Sequence, residues 1–144
     1  MKFDHLGIIV PSLGLGRSHF SKIYNIKEWT DEFIDEVNGV YVQFCRDGDG
    51  VCFELVAPIN DQSPVCNALT KKVNILNHIA YLVEDIDERL NKFLDGEFIV
   101  LGKPQKAIAY NMKKIQFFYS ERLGYCLELI ESSEHAHTFY SLDT

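Results

Sequence analysis

No run of apolar residues in this 144-residue chain approaches the roughly 20 that span a bilayer, so no membrane partner is expected. Basic residues are scarce as well. Lys and Arg number 14 against 21 Asp and Glu, for a formal net charge of −7. Nucleic acids and anionic lipid surfaces both require a basic face, so neither is expected as a partner. Paired cysteine spacings are missing too: Cys45, Cys52, Cys66 and Cys126 form no Cys-x-x-Cys motif. Three of them lie in or beside apolar strands, which reads as reduced, buried thiols of a cytoplasmic protein. The early apolar run Leu6-Gly7-Ile8-Ile9-Val10 is too short for the apolar region of an export signal and is closed by Pro11.

What is present is repetition. Tyr125-Cys126-Leu127-Glu128-Leu129-Ile130 restates Val51-Cys52-Phe53-Glu54-Leu55-Val56, and Leu76-Asn77-His78-Ile79-Ala80-Tyr81-Leu82-Val83 restates Phe3-Asp4-His5-Leu6-Gly7-Ile8-Ile9-Val10. Each glutamate follows its histidine by 49 or 50 residues, and the histidines are 73 apart. Apolar runs of this length read as buried strands. A carboxylate inside one costs several kcal/mol if left charged and unpaired. Singly, each His would read as a hydrogen-bonded core residue and each Glu as half of a structural pair. The matched set His5, Glu54, His78 and Glu128 reads as the donors of a shared cation.

The remaining elements repeat as well. Residues 3–10 form a strand on which Gly7 leaves room beside His5, and a helix follows to about residue 24, its first turn loosened by Gly14 and Gly16. A weaker strand lies near residues 28–34, and Asn38-Gly39 turns into a strand over 40–45. After the Glu54 strand, Ser63-Pro64 has the form of a helix cap and first helical position. In the second half, Asp85 and Glu88 match a capping box and Gly96 closes the helix. A strand near 98–101, a loop over 102–111 and a strand over 112–119 then precede the Glu128 strand. Gln116 lies 73 residues after Gln43. These glutamines either bind substrate from matching strands or satisfy each other in the core. The fold class is α+β, two β-α-β-β-β modules in one domain over residues 1–132. Module one covers 1–60, a connector helix 61–73 and module two 74–132, with a polar tail at 133–144. Cys52 and Cys126 read as small pocket liners, His19 as surface, and His135 and His137 as incidental.

Through Phe3-Asp4-His5-Leu6-Gly7, Glu54-Leu55-Val56-Ala57-Pro58, Ser63-Pro64-Val65, Asn77-His78-Ile79-Ala80 and Leu127-Glu128-Leu129, the chain resembles the vicinal oxygen chelate superfamily. That superfamily includes glyoxalase I, extradiol dioxygenases, bleomycin-resistance proteins and methylmalonyl-CoA epimerase, and the epimerase branch looks nearest. The resemblance implies paired modules with a cleft between them and His5, Glu54, His78 and Glu128 as ligands. The bound ion would be divalent, of the Zn, Co, Ni or Mn group, with open positions for substrate oxygens. It also implies Glu128 as catalytic base, and Glu54 stands as the second carboxylate. Where epimerases carry another glutamate this chain has Val37, with Glu36 one residue off. The functions expected are a metal-dependent epimerase or isomerase acting α to a carbonyl on a small molecule such as an acyl-CoA, a glyoxalase I-like lactoylglutathione lyase, or a non-catalytic binding protein. Exposed strand edges point to a homodimer.

Overall fold

The computed structural model describes residues 1–141. Strand β1 (Lys2–Ile9), helix α1 (Leu13–Ile23), and strands β2 (Ile26–Trp29), β3 (Phe33–Asp35), β4 (Val40–Asp47) and β5 (Cys52–Pro58) make up the first module. A short helix α2 (Cys66–Lys71) leads to the second: β6 (Leu76–Val83), α3 (Ile86–Asp95), β7 (Phe98–Ala107), a 3-10 turn (Ile108–Tyr110), β8 (Lys113–Ser120) and β9 (Tyr125–Glu131). Strand β10 (Tyr140–Ser141) ends the described chain. No helix among the described residues is long and apolar enough to cross a membrane.

The ten strands of the described residues share one sheet, in the order β10-β2-β4-β5-β1-β6-β9-β8-β7 with β3 paired to β4. Within each module the first and last strands run parallel, β1 with β5 and β6 with β9. The modules meet where β1 and β6 pair antiparallel. Side-chain alternation then divides the core in two. On the helix-covered face, Phe20 of α1 packs with Trp29, Cys45 and Leu55, and Phe93 of α3 packs on Phe118 and Leu129. On the opposite face Val42, Phe44, Val56, Leu82, Tyr110, Ile115 and Ile130 form one cluster spanning both modules. Burying a side chain such as Phe44, 0% exposed, contributes about 2–3 kcal/mol.

Several local expectations are corrected. The weak strand near 28–34 is two strands, β2 and β3, because the chain turns across to hydrogen-bond Thr30 N–H to Phe44 O. Helix α1 is regular from Leu13, capped by Ser12 Oγ accepting from Leu15 N–H. Gly16 is a packing residue there, since a Cβ would stand 2.9 Å from Leu55 Cδ1. Helix α2 begins at Cys66, and Val65 at its cap makes no side-chain bond. Ser63 instead closes a turn by accepting Cys66 N–H on its carbonyl at 3.1 Å. Most of the loop expected over 102–111 is strand: β7 runs to Ala107 with an irregularity between Leu101 and Gln105. The strand tolerates Pro104 because it lies at the sheet edge, where a missing N–H costs least. Asp85 does cap α3, accepting from Asp87 and Glu88 N–H.

Candidate metal centre

Four neighbouring strands each supply one member of the predicted quartet: Glu54 on β5, His5 on β1, His78 on β6 and Glu128 on β9. Register explains why they meet. Glu54, Gly7 and His78 lie in one cross-strand row, and His5, Ala80 and Glu128 in the next. A small residue two positions after each histidine therefore leaves space between the other pair. The space at Gly7 is fully used, for a Cβ there would sit 2.1 Å from His78 Cε1.

One donor atom from each of the four residues lies within 4.8 Å of the others. His5 Nε2 is 3.0 Å from Glu54 Oε2, 3.1 Å from His78 Nε2 and 3.6 Å from Glu128 Oε2. His78 Nε2 is 3.0 Å from Glu54 Oε2 and 3.1 Å from Glu128 Oε2. Ligands about 2.0–2.1 Å from a tetrahedral ion stand about 3.3 Å apart, so the observed spacings suit a first-row divalent cation.

The surrounding hydrogen bonds aim the donors. His5 Nδ1 lies 2.8 Å from Asp4 Oδ2, and His78 Nδ1 lies 2.9 Å from Asn77 Oδ1. With Nδ1–H donated outward, each Nε2 turns its lone pair to the centre, the usual support for a metal-binding imidazole. The residue before each histidine thus serves the same purpose in both modules.

Electrostatics point the same way. Burial opposes charge on His5, but hydrogen bonds to Asp4, Glu128 and Glu54 overcome it and raise the imidazole well above its usual value. His78 is likewise pushed up to about 9 against burial by Glu128 and Glu54. Glu54 and Glu128 are held below the usual carboxylate range, burial being outweighed by the two imidazoles. Two imidazolium N–H groups cannot face each other across 3.1 Å without strong repulsion. One divalent cation in place of two protons keeps the same charge and satisfies all four donors, so the residues fit a metal.

The quartet opens into a cavity of about 420 Å³, lined on its polar side by Glu54, His78, Glu128 and Asn77 and on its apolar side by residues such as Val42 and Phe117. Cys126 lines it; Cys52 lies in the core beside it. Asn38 joins Asp35 and Gln105 across its wall, Nδ2 donating to Asp35 Oδ2 at 2.7 Å and to Gln105 Oε1 at 2.9 Å. Of the acids in that hairpin Asp35 faces the cavity, while Glu36 and Val37 are exposed and line a separate surface pocket.

Gln43 and Gln116 are not brought to this site. Gln43 donates to Thr30 O at 2.8 Å and accepts from Arg17, and Gln116 donates to Leu101 O and Phe117 O at 3.0 Å. Alternation explains the placement, since their neighbours Phe44 and Phe117 belong to the face that holds the cavity. His19 is exposed. Sequence reasoning missed Asp4, Asn77, Tyr110 and His135. The pairing of Asp4-His5 with Asn77-His78 was the available signal for the first two. Tyr110 and His135 reach the centre from 105 and 131 residues away, and nothing local marks them. The incidental reading of His135 and His137 is thereby corrected, because the tail folds inward.

Comparison with known proteins agrees with this architecture. The model of the glyoxalase/bleomycin resistance protein/dioxygenase superfamily matches residues 4–119. The chain is 32% identical over 137 residues to the uncharacterized protein YqjC of Bacillus subtilis (strain 168), covering 94% of this chain and 96% of that one. Among solved structures it is similar to the hypothetical protein BH1468 of Bacillus halodurans C-125, with TM-score 0.77, 24% identity, and 95% and 98% of the two chains covered. It is also similar to the methylmalonyl-CoA epimerase of Mycobacterium tuberculosis, with TM-score 0.76, 20% identity, and 92% and 89% covered. With the doubled β-α-β-β-β architecture and a family match over most of its length, the chain belongs to the glyoxalase/bleomycin resistance protein/dioxygenase superfamily.

Proposed function

We propose that the protein is a metal-dependent epimerase or isomerase that removes and returns a proton α to a carbonyl or thioester of an acyl-CoA-like or other small oxygenated substrate. One observation carries this reading: two carboxylates and two imidazoles converge within 4.8 Å at a largely apolar cavity. His5, Glu54, His78 and Glu128 would hold an ion of the Zn, Co, Ni or Mn group. When bound, it supplies Lewis acidity worth several kcal/mol, drawing charge onto a substrate oxygen as the α-proton leaves.

Glu54 and Glu128 both line the cavity, come from different modules and are held ionised, so each is in the form that accepts a proton. One, ionised, takes the α-proton onto a carboxylate oxygen; the other, having first taken up a proton from solvent, delivers it to the opposite face and inverts the centre, and each returns to its starting state by exchange with water. Val40, Val42, Val56, Ile115 and Phe117 wall the cavity and keep water from the carbanionic face.

Among the described residues no Lys or Arg lines the cavity, so an anionic group on the substrate finds its counter-charge at the ion alone. That suits a compact chelating acyl group whose charged remainder lies outside the cavity; a glyoxalase I-like lyase is the second reading. Solved relatives of the same architecture named as methylmalonyl-CoA epimerases, bound to methylmalonyl-CoA or to 2-nitronate-propionyl-CoA, support the acyl-CoA class. The same reading includes a homodimer working in the cytoplasm. Protein loaded with Co(II) or Mn(II) in D2O is expected to exchange deuterium into the α-position of methylmalonyl-CoA and to leave the methylglyoxal–glutathione hemithioacetal unturned. Turnover of the hemithioacetal alone would favour the lyase, and silence on both would sink both.

A further inference from the structure

We propose that the C-terminal segment is a working part of the metal centre, with His135 a positioning residue that fixes the ring of His5 through Asp4. This rests on the reading that the quartet binds a divalent cation. Asp4 divides its two oxygens. Oδ2 faces the ligand, 2.8 Å from His5 Nδ1, and Oδ1 faces the tail, 2.6 Å from His135 Nδ1. The Tyr110 hydroxyl donates to Asp4 Oδ2 and lies 2.9 Å from His5 Nδ1. With its side chain only 1% exposed, Asp4 has no water to replace a partner that leaves.

The tail has its own anchors, so His135 is not needed merely to hold it down. Tyr140 and Ser141 pair with Trp29 and Glu28, and the Arg46 guanidinium lies 3.9 Å over the Phe139 ring. His137 stacks on Phe44 with ring centroids 3.8 Å apart. Held at one end by these contacts and at the other by Ser132 N–H donating to Val83 O at 3.1 Å, the segment presents one N–H to one buried carboxylate. The two modules differ here: His78 is backed by the neutral amide of Asn77, whereas His5 is backed by a carboxylate that the tail orients. A carboxylate behind a metal-bound imidazole raises its basicity, and its loss typically weakens metal binding.

The test uses the full chain, stripped with a chelator and titrated with Co(II), reading both the visible absorption of the bound ion and the affinity against a competing metal-binding dye. His135→Leu, which keeps bulk and removes the N–H, is expected to weaken Co(II) binding about 10- to 100-fold and to alter the cobalt spectrum, with the far-ultraviolet circular dichroism preserved. His135→Asn, whose Nδ2–H stands where the imidazole Nδ1–H stood, should recover much of the affinity, and Thr138→Ala should match the parent. Should His135→Leu fail to fold, His135→Phe, which keeps a ring against Phe139 and has no N–H, takes its place with the same expected loss. Parental affinity and spectrum in the folded variant would overturn the positioning role alone. A parent that takes up no Co(II) would remove the metal reading and this inference together.

Discussion

Gly7 has no side chain, and the centre is built around that fact. The His78 ring fills the place where its Cβ would stand, so Gly7→Ala must push aside either the imidazole or strand β6. The expected result is a loss of about 1–3 kcal/mol in stability from overpacking, with Co(II) affinity down roughly tenfold or more as a ligand is displaced. Gly14→Ala is the contrast, because its Cβ would meet nothing nearer than 4.0 Å and should stabilise α1 by about 0.5–1 kcal/mol. Chemical denaturation and cobalt titration of the two variants check both. At this scale the sequence was half legible. His5, Glu54, His78 and Glu128 stood out because they recur at matched offsets. Asp4 was hidden because strict alternation would send it away from His5, and the register irregularity between Phe3 and His5 is what lets both turn inward.

Among elements, the strands and long helices follow from patterning, whereas the tail does not. Residues 132–141 are mostly polar, yet they cover Phe44 and Tyr110 with two imidazoles, on one of which the Phe139 ring is stacked. Their order comes from long-range stacking, which has no local signature. His137 gives this element an acid sensitivity. Burial, then the neighbouring His135, depresses its imidazole from 6.5 to about 3, while the charges of Asp4 and Glu54 oppose the shift and His5 adds to it. The folded state therefore stays unprotonated where the unfolded chain takes up a proton, so this group costs nothing above pH 6.5 and lowers stability as pH falls below it. At pH 5 the cost is about 1–2 kcal/mol. Urea unfolding at pH 7 and pH 5 should show His137→Phe losing less stability on acidification than the parent by about that amount. An equal loss in both proteins would remove the assignment.

For the whole molecule, duplication was legible and assembly was not. The sheet ends on one side at β7, whose Ile99, Val100 and Leu101 remain 38–40% exposed. A long edge with exposed apolar side chains invites another strand, and the expected outcome is a homodimer in sedimentation equilibrium at micromolar concentration, shifted toward monomer by Val100→Lys. A parent that sediments as a monomer while still binding Co(II) would contradict it.

The antiparallel seam of β1 and β6, six matched residue pairs, acts as the gauge block of the four-donor centre. A slip of a single residue along it would invert β6 and offer Asn77 or Ile79 where His78 now points. The centre is thus carried by a pairing between halves as much as by the donors themselves, and a β1 or β6 that kept its histidine but lost its alignment would lose the centre with it.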